Sequence, residues 1–228
     1  MAKMSPEVER AITEAAREFN VPAESLFAVA MQESRFQPDA KNSRSTATGL
    51  FQHLDGTWNS VTDRYGGRYG ITKESSRKDP RNSALMGAAL MAENARQLAS
   101  AGLPVNTANL YMAHFAGMKG AVKAITAPAN KPASSVFGSK VAKANPFMAN
   151  KTIAQVREFF ETKMNKYAEE FAPATPANMN KTGIGWAGSI APDLAPIEPE
   201  QSAYTPRDQY GMKAAVPWSA CAARPCAR

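Results

Sequence analysis

Along residues 1–172 the apolar positions recur mostly at helical spacing, and polar residues mark where each helix stops. Val8, Ile12, Ala15, Ala16 and Phe19 share one face of a first helix. Ser5 is placed to cap it, Pro6 suits its first position, and Glu7 and Glu9 lie at its positive dipole end. Val21-Pro22 interrupts the pattern. Pro22 opens a second helix through Ser34, on which Leu26, Val29, Ala30 and Glu33 form one stripe. Over 36–54 the period fails and Ser, Thr, Asn, Asp and Gly dominate, which predicts a loop with at most a small β-hairpin at 48–53. Asp55 or Thr57 is expected to cap a short helix carrying Trp58 and Val61, and 65–70 reads as a turn-rich connection. Asp79-Pro80 opens a long helix through Leu85, Ala88, Ala89, Met91 and Leu98, ending near Gly102. Another starts at Asn106 or Thr107, passes Leu110, Ala113 and His114, and closes at Gly117, with shorter pieces near 118–126 and 134–144. Thr152-Ile-Ala-Gln155 is a capping box, followed by Ile153, Val156, Phe160, Met164, Tyr167 and Phe171 on one stripe. The pattern predicts a mainly α domain.

After Phe171 the pattern ends. Residues 173–228 hold half of the 16 prolines, which predicts an extended Pro-rich arm rather than a second domain. The expected division is 1–172 for the helical domain and 173–228 for the arm. The arm's five Lys/Arg nearly cancel its four Asp/Glu, so most of the net charge of +7 belongs to the helical part. A basic chain suits an anionic partner: nucleic acid, a membrane surface or an acidic cell-wall polymer. No groove-reading helix or aromatic-basic motif accompanies the charge, so nucleic acid is not expected. No apolar run reaches the length of a membrane span. The start MAKMSPEVER has no apolar h-region or small-residue cleavage site, so no signal peptide is expected. Cys221 and Cys226 are too few for a disulfide scaffold; free thiols and a local or intermolecular disulfide both stay open. The two histidines, His53 and His114, lack zinc spacing, and no metal or cofactor is expected.

Glu33 is the residue whose placement raises a chemical question. It continues an apolar stripe, so desolvation disfavours its charge. It also lies in a last helical turn, where the negative dipole end disfavours it again. Both effects raise its pKa toward the range useful to a general acid, and Arg35 could offset them by pairing. A glutamate at a helix end facing solvent is the alternative.

Glu33-Ser34, followed by Arg-Phe-Gln-Pro-Asp-Ala, Gly49-Leu50-Phe51-Gln52 and Thr57-Trp58, resembles the SLT-type lytic transglycosylases of the goose-type lysozyme superfamily. The stretch Tyr-Met-Ala-His-Phe-Ala-Gly at 111–117 sits where that family has Ala-Tyr-Asn-Ala-Gly. The resemblance spans roughly 8–167. It implies a lysozyme-like α domain that binds peptidoglycan glycan strands and cuts between N-acetylmuramic acid and N-acetylglucosamine. Glu33 would protonate the glycosidic oxygen and then, as a base, activate the muramic acid 6-hydroxyl, leaving a 1,6-anhydro end. Ordinary glycosidases use two carboxylates, whereas this family is thought to manage with one, helped by the substrate's N-acetyl group. Asp39 and Asp55, the nearest other acids, read as a loop-turn residue and a helix cap.

The resemblance also implies substrate-binding roles. Gln52 would point its side-chain amide at sugar acetamido groups, against a loop-closing hydrogen bond. Phe51 would line the groove, against core packing. The family's loop serine that hydrogen-bonds the acid falls on Ser43 counting back from Gly49, and on Asn42 counting forward from Glu33. The family's tyrosine near the acid falls on His114, with Tyr111 one turn earlier on the same face. A histidine there could bond the carboxylate or a sugar hydroxyl, or be satisfied inside a packed helix junction. Stretches of this His-containing form resemble phage-borne members. The resemblance would place the enzyme in a phage virion, tail or internal, acting on the wall from the bacterial periplasm. The arm would then bind other virion or tail proteins, with Cys221 or Cys226 locking it. The alternatives are a structural virion protein with a vestigial lysozyme-like fold, and a hydrolytic muramidase or endolysin.

Overall fold

A computed structural model describes residues 4–172, so the arm over 173–228, with Cys221 and Cys226, lies outside the described residues. Eight α-helices make up the described part. They are α1 (Pro6–Glu18), α2 (Ala23–Ser34), α3 (Asp55–Tyr65), α4 (Pro80–Ser100), α5 (Thr107–Thr126), α6 (Ala133–Phe137), α7 (Ser139–Ala144) and α8 (Ile153–Phe171). The mainly α class is as the periodicity predicts. The helix starts follow local chemistry. Ser5 Oγ accepts from the Val8 N–H at 3.3 Å, Asp79 from that of Asn82 at 2.8 Å and Asn106 from that of Asn109 at 2.8 Å. Thr152 and Gln155 form the capping box.

The centre of the fold is α4. Fourteen of its 21 residues are buried, so it is apolar nearly all round, as a helix enclosed by others must be. Alanines at 84, 88, 89, 92 and 95 let neighbouring backbones approach closely. α1 and α5 pack on α4, and α8 packs on both α2 and α5. The second and fifth helices therefore meet between α4 and α8. At Gly117 the backbone turns to φ 66°, which breaks α5 where the sequence predicts its close. Gly138, at φ 88°, separates α6 from α7.

Two expectations change. Asp55 does not cap α3, which begins at Asp55 with Leu54 at the cap position and no side-chain cap. Its carboxylate is drawn to the Arg77 guanidinium instead, and its N–H is taken by Thr46 Oγ1 at 3.1 Å. Thr57 is buried inside the helix. The hairpin shrinks to the isolated bridges Lys41–Thr48 and Thr48–His53, because side chains rather than a strand ladder satisfy much of this loop.

Candidate active site

Glu33 lies one residue before the end of α2. Ser34 Oγ donates to the Ala30 carbonyl at 3.0 Å and is buried, so the second member of the Glu-Ser pair serves the helix end. The chain then reverses through two non-glycine residues with positive φ, Arg35 at 52° and Phe36 at 62°. Each such residue costs about 1 kcal/mol or more. Phe36 offsets this by packing against Phe27 and Phe171, with ring centroids 6.3 Å and 5.2 Å away. The tight reversal leaves Glu33 at the rim of the helix rather than under a continuing turn.

The Glu33 side chain keeps 20% of its surface exposed, so a ligand can reach it. The packed surroundings still dominate its charge. Burial raises its pKa from 4.5 to about 7, against the opposing pull of a Tyr111 hydrogen bond and the nearby Lys163 ammonium. Arg35 does not neutralise it, as sequence adjacency suggested it could; the offsetting cation is Lys163 on α8. Lys163 lies over the rings of Phe159 at 5.7 Å and Tyr167 at 5.9 Å. Burial and the neighbouring Arg35 lower its pKa to about 8, and Glu33 pulls the other way. Spacing along the chain does not point to Lys163, because only the packing of α8 on α2 brings it to Glu33.

From α5, Tyr111 and His114 approach the carboxylate. Tyr111 is 2% exposed, and its hydroxyl supplies the hydrogen bond to Glu33. It thus fills the place that the resemblance assigns to position 114. His114 Nε2 stands 3.9 Å from Glu33 Oε1. Burial lowers the His114 pKa to about 4, even though the ring donates to the Phe51 carbonyl. Between pH 4 and 7 both groups are therefore neutral, and above 7 only Glu33 is charged, so the two do not form an ion pair. The neutral ring's one N–H goes to Phe51, which leaves its other nitrogen an acceptor.

The loop residues serve mainly to build the wall of the site. Gly49 has φ 84°, and a Cβ there would lie 2.0 Å from the Arg77 carbonyl oxygen, so only glycine fits. Gln52 Nε2 donates to the Ala40 and Gly49 carbonyls at 3.1 Å and 2.9 Å. That corrects the expected donor role toward a sugar: the amide N–H groups close the loop, and only Oε1 remains to accept. Phe51 is 1% exposed and stacks over Gly87, so it belongs to the core and does not line an open groove. Ser43 is exposed on the loop and is not the group that hydrogen-bonds Glu33; Tyr111 is. Arg77, unremarked in the sequence, clamps this loop through the carbonyls of Thr46 at 3.0 Å and His53 at 2.7 Å. His53 is buried between Phe51, Trp58 and His114, and burial lowers its pKa to about 3.

Asp55 is engaged with Arg77 and Asp39 is exposed, so neither forms a pair with Glu33. Among the described residues no group of three or more His, Cys, Asp or Glu could hold a metal ion. The arrangement is thus one carboxyl poised to give or take a proton near neutral pH, with a phenol donor and a neutral imidazole beside it. A crystal structure of an inactive mutant of the lytic transglycosylase Slt from Pseudomonas aeruginosa is similar at 20% identity and a TM-score of 0.44. The match covers 68% of this chain and 24% of that chain, so this chain spans about a quarter of that protein. The sequence profile of the Transglycosylase SLT domain matches residues 10–136, which contain Glu33, Tyr111 and His114. The chain belongs to the Transglycosylase SLT domain family.

Proposed function

We propose that the protein is a peptidoglycan lytic transglycosylase. It cleaves the β-1,4 bond between N-acetylmuramic acid and N-acetylglucosamine and leaves a 1,6-anhydro end. Glu33 protonates the glycosidic oxygen as that oxygen leaves C1. The resulting carboxylate takes the proton of the muramic acid 6-hydroxyl while O6 bonds to C1. One group thus gives a proton and takes one back, with no water consumed. The observation that supports this reading best is a single reachable carboxyl with its pKa raised to about 7, near the pH where both roles are open to it. Tyr111 suits the second half, since a phenol O–H stabilises the carboxylate. His114, a neutral acceptor 3.9 Å away, suits the first half or a sugar hydroxyl.

The test is digestion of purified peptidoglycan by wild type and Glu33→Gln, with products read by mass spectrometry. Anhydro-muropeptides that vanish in the variant are expected. Reducing ends carrying an added water would replace this reading with a hydrolytic muramidase, and no products from wild type would replace it with a structural role.

We also infer that the enzyme is carried in a phage particle, tail or internal, and opens the wall locally during genome delivery. The His-containing stretch at 111–117 supports this by its resemblance to phage-borne relatives. Residues 173–228 would tether it to other virion or tail proteins. Deleting them should leave catalysis intact and abolish incorporation into particles; a truncated chain that still assembles would refute the tether.

A further inference from the structure

Charge is distributed unevenly along the helical domain. Residues 4–93 carry eleven Lys/Arg against twelve Asp/Glu, whereas 94–157 carry eight Lys/Arg and no acid at all. The pairs Arg64–Glu93, Arg68–Glu18, Lys73–Asp63 and Arg77–Asp55 all lie in the first stretch. In the second, both arginines hold the fold. Arg96 donates to the Tyr65 hydroxyl, and Arg157 donates to the carbonyls of Ala124 and Ala127. That leaves Lys119, Lys123, Lys131, Lys140, Lys143 and Lys151, all exposed. Among the described residues none of the six is in an ion pair.

These six sit on elements that pack in succession, α5 on α6 and α6 on α7. Lys119 and Lys123 are one turn apart on α5 beyond the Gly117 break, and Lys140 and Lys143 are on α7. Lys131 and Lys151 flank the bridge between Pro132 and Thr152. They are tied through Ala133 N–H to the Lys151 carbonyl at 2.9 Å and Ile153 N–H to the Lys131 carbonyl at 2.8 Å. The region abuts the candidate site. Phe115, next to His114, packs against Phe137 of α6 at 6.3 Å and Phe147 at 6.2 Å. Phe147 in turn stacks on Phe159 at 4.7 Å, and Lys163 lies over Phe159.

Six like charges with no acid between them in the chain repel those that lie near one another, and salt screens that repulsion over only about 8 Å at physiological strength. An opposite charge from outside relieves it. All six are lysine rather than arginine. Point charges on flexible stems suit anions repeated along a polymer, whereas one planar anion held in fixed geometry would favour arginine. We propose that this lysine-bearing segment docks the stem-peptide carboxylates of the same peptidoglycan strand that enters the cleft. It is a polyanion-binding surface adjoining the site, and its occupant rests on the peptidoglycan reading above.

Full-length protein carrying Glu33→Gln, with or without Lys→Gln at 119, 123, 140 and 143, is co-sedimented with purified sacculi as salt is raised. The chain with its lysines should bind at low salt and release as salt rises. The lysine variant should bind about tenfold more weakly with an unchanged melting temperature. Sacculi with amidated carboxyl groups should lose the interaction, and sacculi stripped of phosphodiester polymers should keep it. Equal binding by the lysine variant, salt-insensitive binding or retention on amidated sacculi would overturn the proposal. So would tighter binding to duplex DNA or to anionic vesicles of matched charge. Binding is measured on a Glu33→Gln background, so a wild type that releases no product refutes the catalytic reading and leaves the docking result to stand or fall separately.

Discussion

Replacing Glu33 by glutamine should make the protein more stable at pH 8 and change it little at pH 4. The folded-state pKa of Glu33 is raised from 4.5 to about 7. Below the unfolded value both states hold the proton, so ionisation costs nothing. As pH rises through 4.5 the unfolded chain releases the proton while the folded one retains it, and stability falls until the folded group also ionises near pH 7. The penalty is then constant. Holding the proton from pH 4.5 to about 7, at about 1.4 kcal/mol per pH unit, gives a ceiling of about 3.5 kcal/mol. Glutamine matches the shape of the neutral acid and never ionises. The assay is urea unfolding of both proteins from pH 4 to pH 8, read as the difference between them. Groups that titrate alike in both, His53 and His114 included, cancel in that difference. It should open between pH 4.5 and 7; near pH 8 Lys163, whose pKa Glu33 pulls upward, also enters the difference. A difference flat with pH, or a variant less stable than wild type at pH 8, would show that Glu33 is not held in its neutral form by burial.

Tyr111→Phe should move the alkaline limb of the pH–activity profile upward by about one to two units. It removes a donor worth about 1.5–3 kcal/mol to the carboxylate; a limb that stays put or moves down refutes the contact. Gly49→Ala should cost about 3 kcal/mol or more. A positive φ and a backbone oxygen 2.0 Å from the new Cβ both oppose it. Thermal unfolding within about 0.5 kcal/mol of wild type would contradict that. His53→Gln should weaken the loss of stability on acidification. A buried imidazole whose pKa falls from 6.5 to about 3 gives stability that is full above 6.5 and lost as pH drops toward 3. An unchanged acid transition would mean that His53 charges without unfolding.

Much of the helical frame is legible in the chain because its signals are local. Ser5, Asp79, Asn106 and Thr152 lie at most a few residues from the N–H groups they cap, and Gly117 ends its helix by its own φ. Asp55 fails as a cap because Arg77, 22 residues away, competes for its carboxylate. Glu33 was visible as an unusual acid from its stripe and its place in the last turn. The loop residues depart from expectation for one shared reason: whether a side chain faces a ligand or the protein depends on neighbours that spacing does not reveal. Phe51 faces Gly87 of α4, and the Gln52 amide meets the carbonyls of its own loop.

The sequence by itself determined where helices start and stop, which acid sits in an apolar stripe, and that 64 consecutive residues carry basic groups and no acid. Only the tertiary structure decided what surrounds that acid. Tyr111 comes from α5 and Lys163 from α8, dozens of residues away from Glu33. Their effects on its proton are contact and Coulomb effects that fade within a few ångströms to about a nanometre. Helix starts and stops depend on residues a few positions apart, so the chain spells them out. The surroundings of Glu33 depend on how α2, α5 and α8 pack, which no local pattern records.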